Sequence, residues 1–176
     1  MENEQLTIYN VADWFLVHEA MTHKKLQKML YLSYGYYLAS FNENNNSISD
    51  ELFENDFEAW VHGPVSPKIY NTYREAGYNY ISKKMSNPGI ITDKASKILF
   101  TVLEKYKNYD GDQLEAMTHA QDPWLNARGD LDSIEPCSNK ILTEDIFDYF
   151  KDNGLSIEYN AWWQNKNSFF KVSILF

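Results

Sequence analysis

The sequence predicts a mainly α fold, a compact helical domain of about six helices with a small antiparallel β-sheet or hairpin. Three observations carry that expectation. Two long stretches place apolar residues three and four apart: Leu26, Met29, Leu30, Tyr34, Tyr37 and Leu38 in one, and Ala95, Ile98, Leu99, Val102, Leu103 and Tyr106 in the other. That spacing lines one face of a helix. A third stretch alternates Phe57, Ala59 and Val61 with Glu58, Trp60 and His62, the period of a strand buried on one side. The composition supplies the core, with 44% hydrophobic and 16% aromatic residues, including 13 Tyr and 10 Phe, in 176 residues. So much apolar material excludes a disordered chain, and the length suffices for a core without disulfides or metals.

Taken in order, Asn10 is the expected N-cap of a first helix over 10–19, with Val11, Trp14, Phe15 and His18 at helical spacing and Asp13 near its positive end. Thr22 caps the second, over 22–39. Phe41 to Ser47, rich in Asn, holds neither period and reads as an exposed turn. Ser66-Pro67 gives a capping hydroxyl followed by a Pro at the first helical position, so a helix over 66–76 is expected to end at Gly77. The following residues to Gly89 fit a short strand or a loop and are read as loop. Thr92 opens a helix over 93–107, and Asp110-Gly-Asp-Gln113 has the spacing of a capping box for a short helix over 112–119. A last helix over 144–152 buries Ile146, Phe147 and Phe150 and stops at Gly154. Beyond it the period becomes two, predicting a terminal hairpin able to pair with the 57–62 strand. The expected organisation is a main domain over 1–154 with 155–176 as a hairpin appendage packed on it.

Charge and rare residues narrow the function. The formal charge of −9 argues against a general nucleic-acid binder, which needs clustered Lys and Arg to displace counterions. Lys24-Lys25, Lys28 and Lys83-Lys84 are the local basic clusters and read as solvated faces. A single Cys precludes an internal disulfide, the first residues resemble no secretion signal, and no apolar run is long enough to span a membrane, so a cytoplasmic location is expected. The four His and Cys137 lack metal-ligand or nucleophile spacing, and the Gly residues are scattered singly. No catalytic residue, metal or cofactor is expected.

The best specified piece is the corner from Phe57 to Arg74, a strand stopped by Gly63-Pro64 and followed by a capped helix. Two readings of it stand side by side. In one, His62 and His119 satisfy buried backbone groups while Trp60 and Trp124 fill core. In the other, Trp60, His62, Tyr70 and Trp124 border a groove that receives a partner, because aromatic residues dominate interface hot spots.

The same residues carry a resemblance. Trp60-Val61-His62-Gly63-Pro64-Val65-Ser66-Pro67 with Ile69-Tyr70, the upstream Lys25-Leu26-Gln27-Lys28-Met29-Leu30-Tyr31 and the weaker Thr118-His119-Ala-Gln-Asp-Pro123-Trp124 resemble the Panacea family, the SocA-like antitoxin domain also described as phage-associated protein. The resemblance spans roughly residues 7 to 150. It implies a bacterial or phage-borne antitoxin that neutralises a cognate toxin by direct protein–protein binding, and in the SocA branch a proteolytic adaptor that delivers the toxin to an ATP-dependent protease. The candidate partner-binding residues are then Trp60, His62, Gly63, Pro64, Val65, Tyr70, His119 and Trp124. An inhibitor of a host protein carried by a phage or mobile element, and a hydrolase using His62 or His119, are the alternatives.

Overall fold

A computed structural model of the chain describes residues 6–85 and 88–154. It is built around one helix. α2 (His23–Phe41) is capped by Thr22, whose hydroxyl accepts from the Lys25 N–H, and it is buried from Lys25 through Leu38. A helix enclosed on all sides needs neighbours on all sides. α1 (Ile8–His18), α4 (Asp93–Tyr106), α5 (Gly111–His119) and α7 (Thr143–Asn153) supply them. The stripe read from the sequence, Leu26 to Leu38, is core as expected, but the opposite face is buried too: Gln27 is 2% and Lys28 1% exposed. The expectation of solvated lysines therefore fails at Lys25 and Lys28. Lys25 donates to Glu19 and to the carbonyl of Lys107, and Lys28 points into the protein.

Most helix starts follow capping chemistry. Thr92 and Ser66 cap α4 and α3 (Pro67–Tyr73), and Asp110 forms the expected reciprocal box with Gln113. At α1 the cap is Thr7, and Asn10 is instead the third helical residue, returning a hydrogen bond to the Thr7 N–H at 2.9 Å. One helix was not expected: α6 (Asp122–Arg128) starts at Asp122-Pro123, where the sequence suggested only a stop. Pro at the first helical positions begins a helix as readily as it ends one. Seven helices result among the described residues, where about six were expected.

The sheets are small. β1 (Met21–Thr22) pairs antiparallel with β4 (Tyr80–Ile81), so the segment after Gly77, read as loop, contains a short strand. β2 (Glu58–Trp60) pairs antiparallel with β3 (Gly63–Val65) through the two-residue turn Val61-His62, with Trp60 opposite Gly63. Gly63-Pro64 thus turns the chain into a second strand rather than ending the first. Gly63 has φ +90°, and Pro64 is accommodated because it lies on an edge strand. The other side of β2 bonds to residues 139–141, the Ala59 N–H to the Asn139 carbonyl and the Ile141 N–H to that of Phe57, both at 2.9 Å. The terminal hairpin suggested as partner of this strand lies outside the described residues. Among the described residues no helix is long and apolar enough to cross a membrane.

Candidate functional site

The β2–β3 hairpin is held at its backbone by side chains from two helices. β3 turns its outer edge to α2, where Lys28 Nζ donates to the Pro64 carbonyl at 3.0 Å and the Gln27 amide takes both polar groups of Ser66, donating to its carbonyl at 3.1 Å and accepting from its N–H at 2.9 Å. From α6, Trp124 Nε1 donates to the Trp60 carbonyl at 2.9 Å and Arg128 Nη1 to that of Ala59 at 3.0 Å. From α5, His119 lies beside the backbone of Val61, which favours its charged form. Arg128 also donates to the carbonyls of Asp132 and Glu135, fixing the next loop against the same frame. Buried backbone groups must be paired, and here every helical contributor is a polar or aromatic side chain aimed at the hairpin.

Packing explains the glycine. A Cβ on Gly63 would lie 2.9 Å from Lys28 Cε and 3.0 Å from Thr118 Oγ1, so only glycine lets the hairpin settle onto α2 and α5. Burial pushes the Lys28 ammonium down to about 7, partly countered by Glu115 and reinforced by the nearby Lys24. Glu115 joins Lys24 at 2.6 Å and His62 Nδ1 at 3.1 Å. Burial works against its ionised form, but Lys24 and His62 outweigh it and hold the carboxyl below its ordinary range. His119 is pushed below the usual histidine value by burial, a shift the Glu115 charge offsets only in part, and its ring stacks on Trp124 at 4.1 Å.

The turn itself faces outward. The His62 side chain is 70% exposed and, among the described residues, is anchored through Glu115. Trp60 is half-buried; its Nε1 donates to Glu58 at 2.6 Å and its ring lies 4.9 Å from that of Tyr70, which is 37% exposed. Trp60, Val61 and His62 form one wall of a cavity of about 340 Å³, and Pro136, Cys137 and Ser138 form the other.

The eight residues singled out in the sequence therefore fall into two sets. Trp60, His62 and Tyr70 present themselves to solvent, and His119 is half-buried behind them. Gly63, Pro64, Val65 and Trp124 are buried and shape the hairpin from beneath. The core reading holds for Trp124, which is 3% exposed, and fails for His62, whose side chain is largely in solvent. Sequence reasoning missed Gln27, Lys28, Glu115 and Arg128. Their one signal was position: Gln27 and Lys28 sit inside the apolar run from Leu26 to Leu32, where a polar side chain has to find a partner. The cavity wall at Pro136–Ser138 had no signal, since only the tertiary fold brings that loop to the hairpin.

With this geometry in view, comparison with known families is decisive: the model described as antitoxin SocA-like, Panacea domain, matches residues 26–125. The chain belongs to that family. No curated protein and no solved structure matches it. The matched Panacea stretch begins inside α2 and ends inside α6, narrower than the residues 7 to 150 of the sequence resemblance. It contains the hairpin, Gln27, Lys28, Glu115, His119 and Trp124, while Arg128 and the Pro136–Ser138 wall lie beyond it. Among the described residues of this Panacea domain, no group of three or more His, Cys, Asp or Glu could hold a metal ion.

Proposed function

We propose that this Panacea domain is an antitoxin that neutralises a cognate toxin by binding it, using the exposed tip of the β2–β3 hairpin. The observation that supports this most is the pre-organised turn: Trp60, His62 and the neighbouring Tyr70 face solvent, while the backbone beneath them is fixed by Lys28, Gln27, Trp124 and Arg128. Rigid aromatic anchors lose little conformational entropy on binding, which is how a small patch comes to dominate an interface. Gly63, Pro64, Val65 and Trp124 serve this role indirectly, by setting the position of the tip. The protein acts in the cytoplasm on a stoichiometric basis, and delivery of the bound toxin to an ATP-dependent protease is an optional second step.

A hydrolase is the competing reading, because His62 has an orienting carboxylate in Glu115 and shares its cavity with Cys137. Among the described residues no hydrogen bond joins Cys137 to His62, so the nucleophile–base contact that such chemistry starts from is not formed. Binding therefore remains the preferred function. Titrating the protein against the product of the adjacent reading frame tests it. Growth or target protection restored at about one equivalent, with a complex on size exclusion, is expected. Restoration at a small fraction of an equivalent without any protease would indicate turnover and overturn the proposal.

A further inference from the structure

Resting on that reading, we infer that the cavity between Trp60–His62 and Pro136–Ser138 receives an arginine side chain from a basic segment of the partner protein. Trp60 lines one wall, and its indole N–H donates to the Glu58 carboxylate at 2.6 Å. That charge-assisted bond fixes the ring and adds electron density to its face, the surface that attracts a cation. The other wall is backbone: Pro136, Cys137 and Ser138 lie outside helix and strand, and among the described residues none of their carbonyls receives a hydrogen bond. A planar guanidinium can stack on the indole while its five donors meet such carbonyls, which an ammonium cannot do in a plane. The protein uses this arrangement once itself, where Arg128 lies 4.8 Å over the Trp124 ring and donates to three backbone carbonyls.

Charge complementarity selects the class of partner. The segment leading into β2 carries Glu54 and Asp56, and β2 itself Glu58, with no Lys or Arg, and the opposite loop carries Asp130, Asp132 and Glu135 against the single Lys140. Glu54 is paired with Lys68 at 3.1 Å, and Glu135 accepts from the Asp132 N–H, but neither contact removes the negative charge of the rim as a whole. A cavity of about 340 Å³ takes one long side chain with its neighbours laid along the rim, not a folded element. An acidic rim around an aromatic slot speeds encounter with a basic segment and sets its register by the one side chain that enters.

The test uses the full chain, labelled at the tryptophan indoles, and two nine-residue peptides: one with a central Arg between Lys and Gly residues, and the same peptide with citrulline at the centre. Citrulline keeps the shape and removes the charge. The Arg peptide should shift the Trp60 indole signal, and its affinity should fall at least five-fold when the monovalent salt is raised from low to physiological concentration. Citrulline, Trp60→Leu and Glu58→Gln should each weaken it about three- to ten-fold. Glu58→Gln changes one atom on the surface and keeps the bond to Trp60, so it remains informative if Trp60→Leu fails to fold. Equal binding of the citrulline peptide, an Arg peptide that shifts signals elsewhere but not Trp60, or no loss in Glu58→Gln would overturn the inference. The two proposals fail separately. Toxin neutralised equally by wild type and Glu58→Gln would remove the arginine slot and leave the antitoxin reading intact; peptide bound in the slot with no toxin neutralised would do the reverse.

Discussion

Lys28 makes the stability of this protein depend on pH in a direction that identifies it. The ammonium is 1% exposed and donates to the Pro64 carbonyl, and burial lowers its pKa from 10.5 to about 7. Between those two values the unfolded chain holds a proton on Lys28 that the folded one has released. Stability therefore rises with pH through that window, by up to about 1.4 kcal/mol per pH unit while the difference is a full proton. Integrated from pH 7 to pH 9, where the folded-state group is first half and then almost fully deprotonated, the gain is about 2 kcal/mol. His23 and His119 are both lowered by burial and titrate below this range, so they do not contribute. The perturbation is Lys28→Met, which keeps the stem and removes the titrating group. Urea midpoints of wild type and variant, measured at pH 7, 8 and 9, should diverge by about 2 kcal/mol, with wild type gaining on the variant as pH rises. Parallel curves would refute the reasoning, since they would mean that Lys28 is as solvated in the folded protein as in the unfolded one.

Gly63→Ala should cost about 2–4 kcal/mol, combining the positive φ with a Cβ pressed against Lys28 and Thr118; a melting temperature within a degree or two of wild type would show that the hairpin does not sit on α2 as described. Gln27→Leu removes the partner of the buried Ser66 N–H, while the Ser66 carbonyl keeps its bond from the Tyr70 N–H, and should cost about 1–3 kcal/mol in urea unfolding, against a negligible change if Ser66 can turn to water. His62→Ala should leave the urea midpoint almost unchanged, because its side chain is 70% exposed, yet weaken toxin binding about ten-fold or more; a low melting temperature with normal binding would remove His62 from the partner surface.

The parts of this fold legible in the sequence are those fixed by local chemistry. Thr22, Ser66, Thr92 and Asp110 cap the helices they were expected to cap, because a side-chain oxygen meeting a free N–H two or three residues on is decided within one turn. The alternation from Phe57 to Trp60 likewise identified β2. What escaped is set by distant neighbours. Lys28 looks like a solvated lysine until α5 and β3 close over it, and Pro64 looks like a strand breaker until β3 is seen to be an edge. Asp122-Pro123 can stop one helix or start another, and only the indole–carbonyl bond from Trp124 to Trp60 shows why a helix belongs there. The candidate site was half legible: the half-buried Trp60 and the exposed His62 and Tyr70 lie in one continuous motif, whereas Arg128 and the Pro136–Ser138 wall reach it from outside that motif.

The central claim is that the hairpin tip binds a toxin stoichiometrically, and isothermal titration of the protein with the purified product of the adjacent reading frame measures it directly. Saturation near one equivalent is expected, together with affinity at least ten-fold weaker for a Trp60→Leu, His62→Ala double variant whose urea midpoint stays close to wild type. No heat and no complex with the wild type, or a double variant that binds as tightly as wild type, would contradict it.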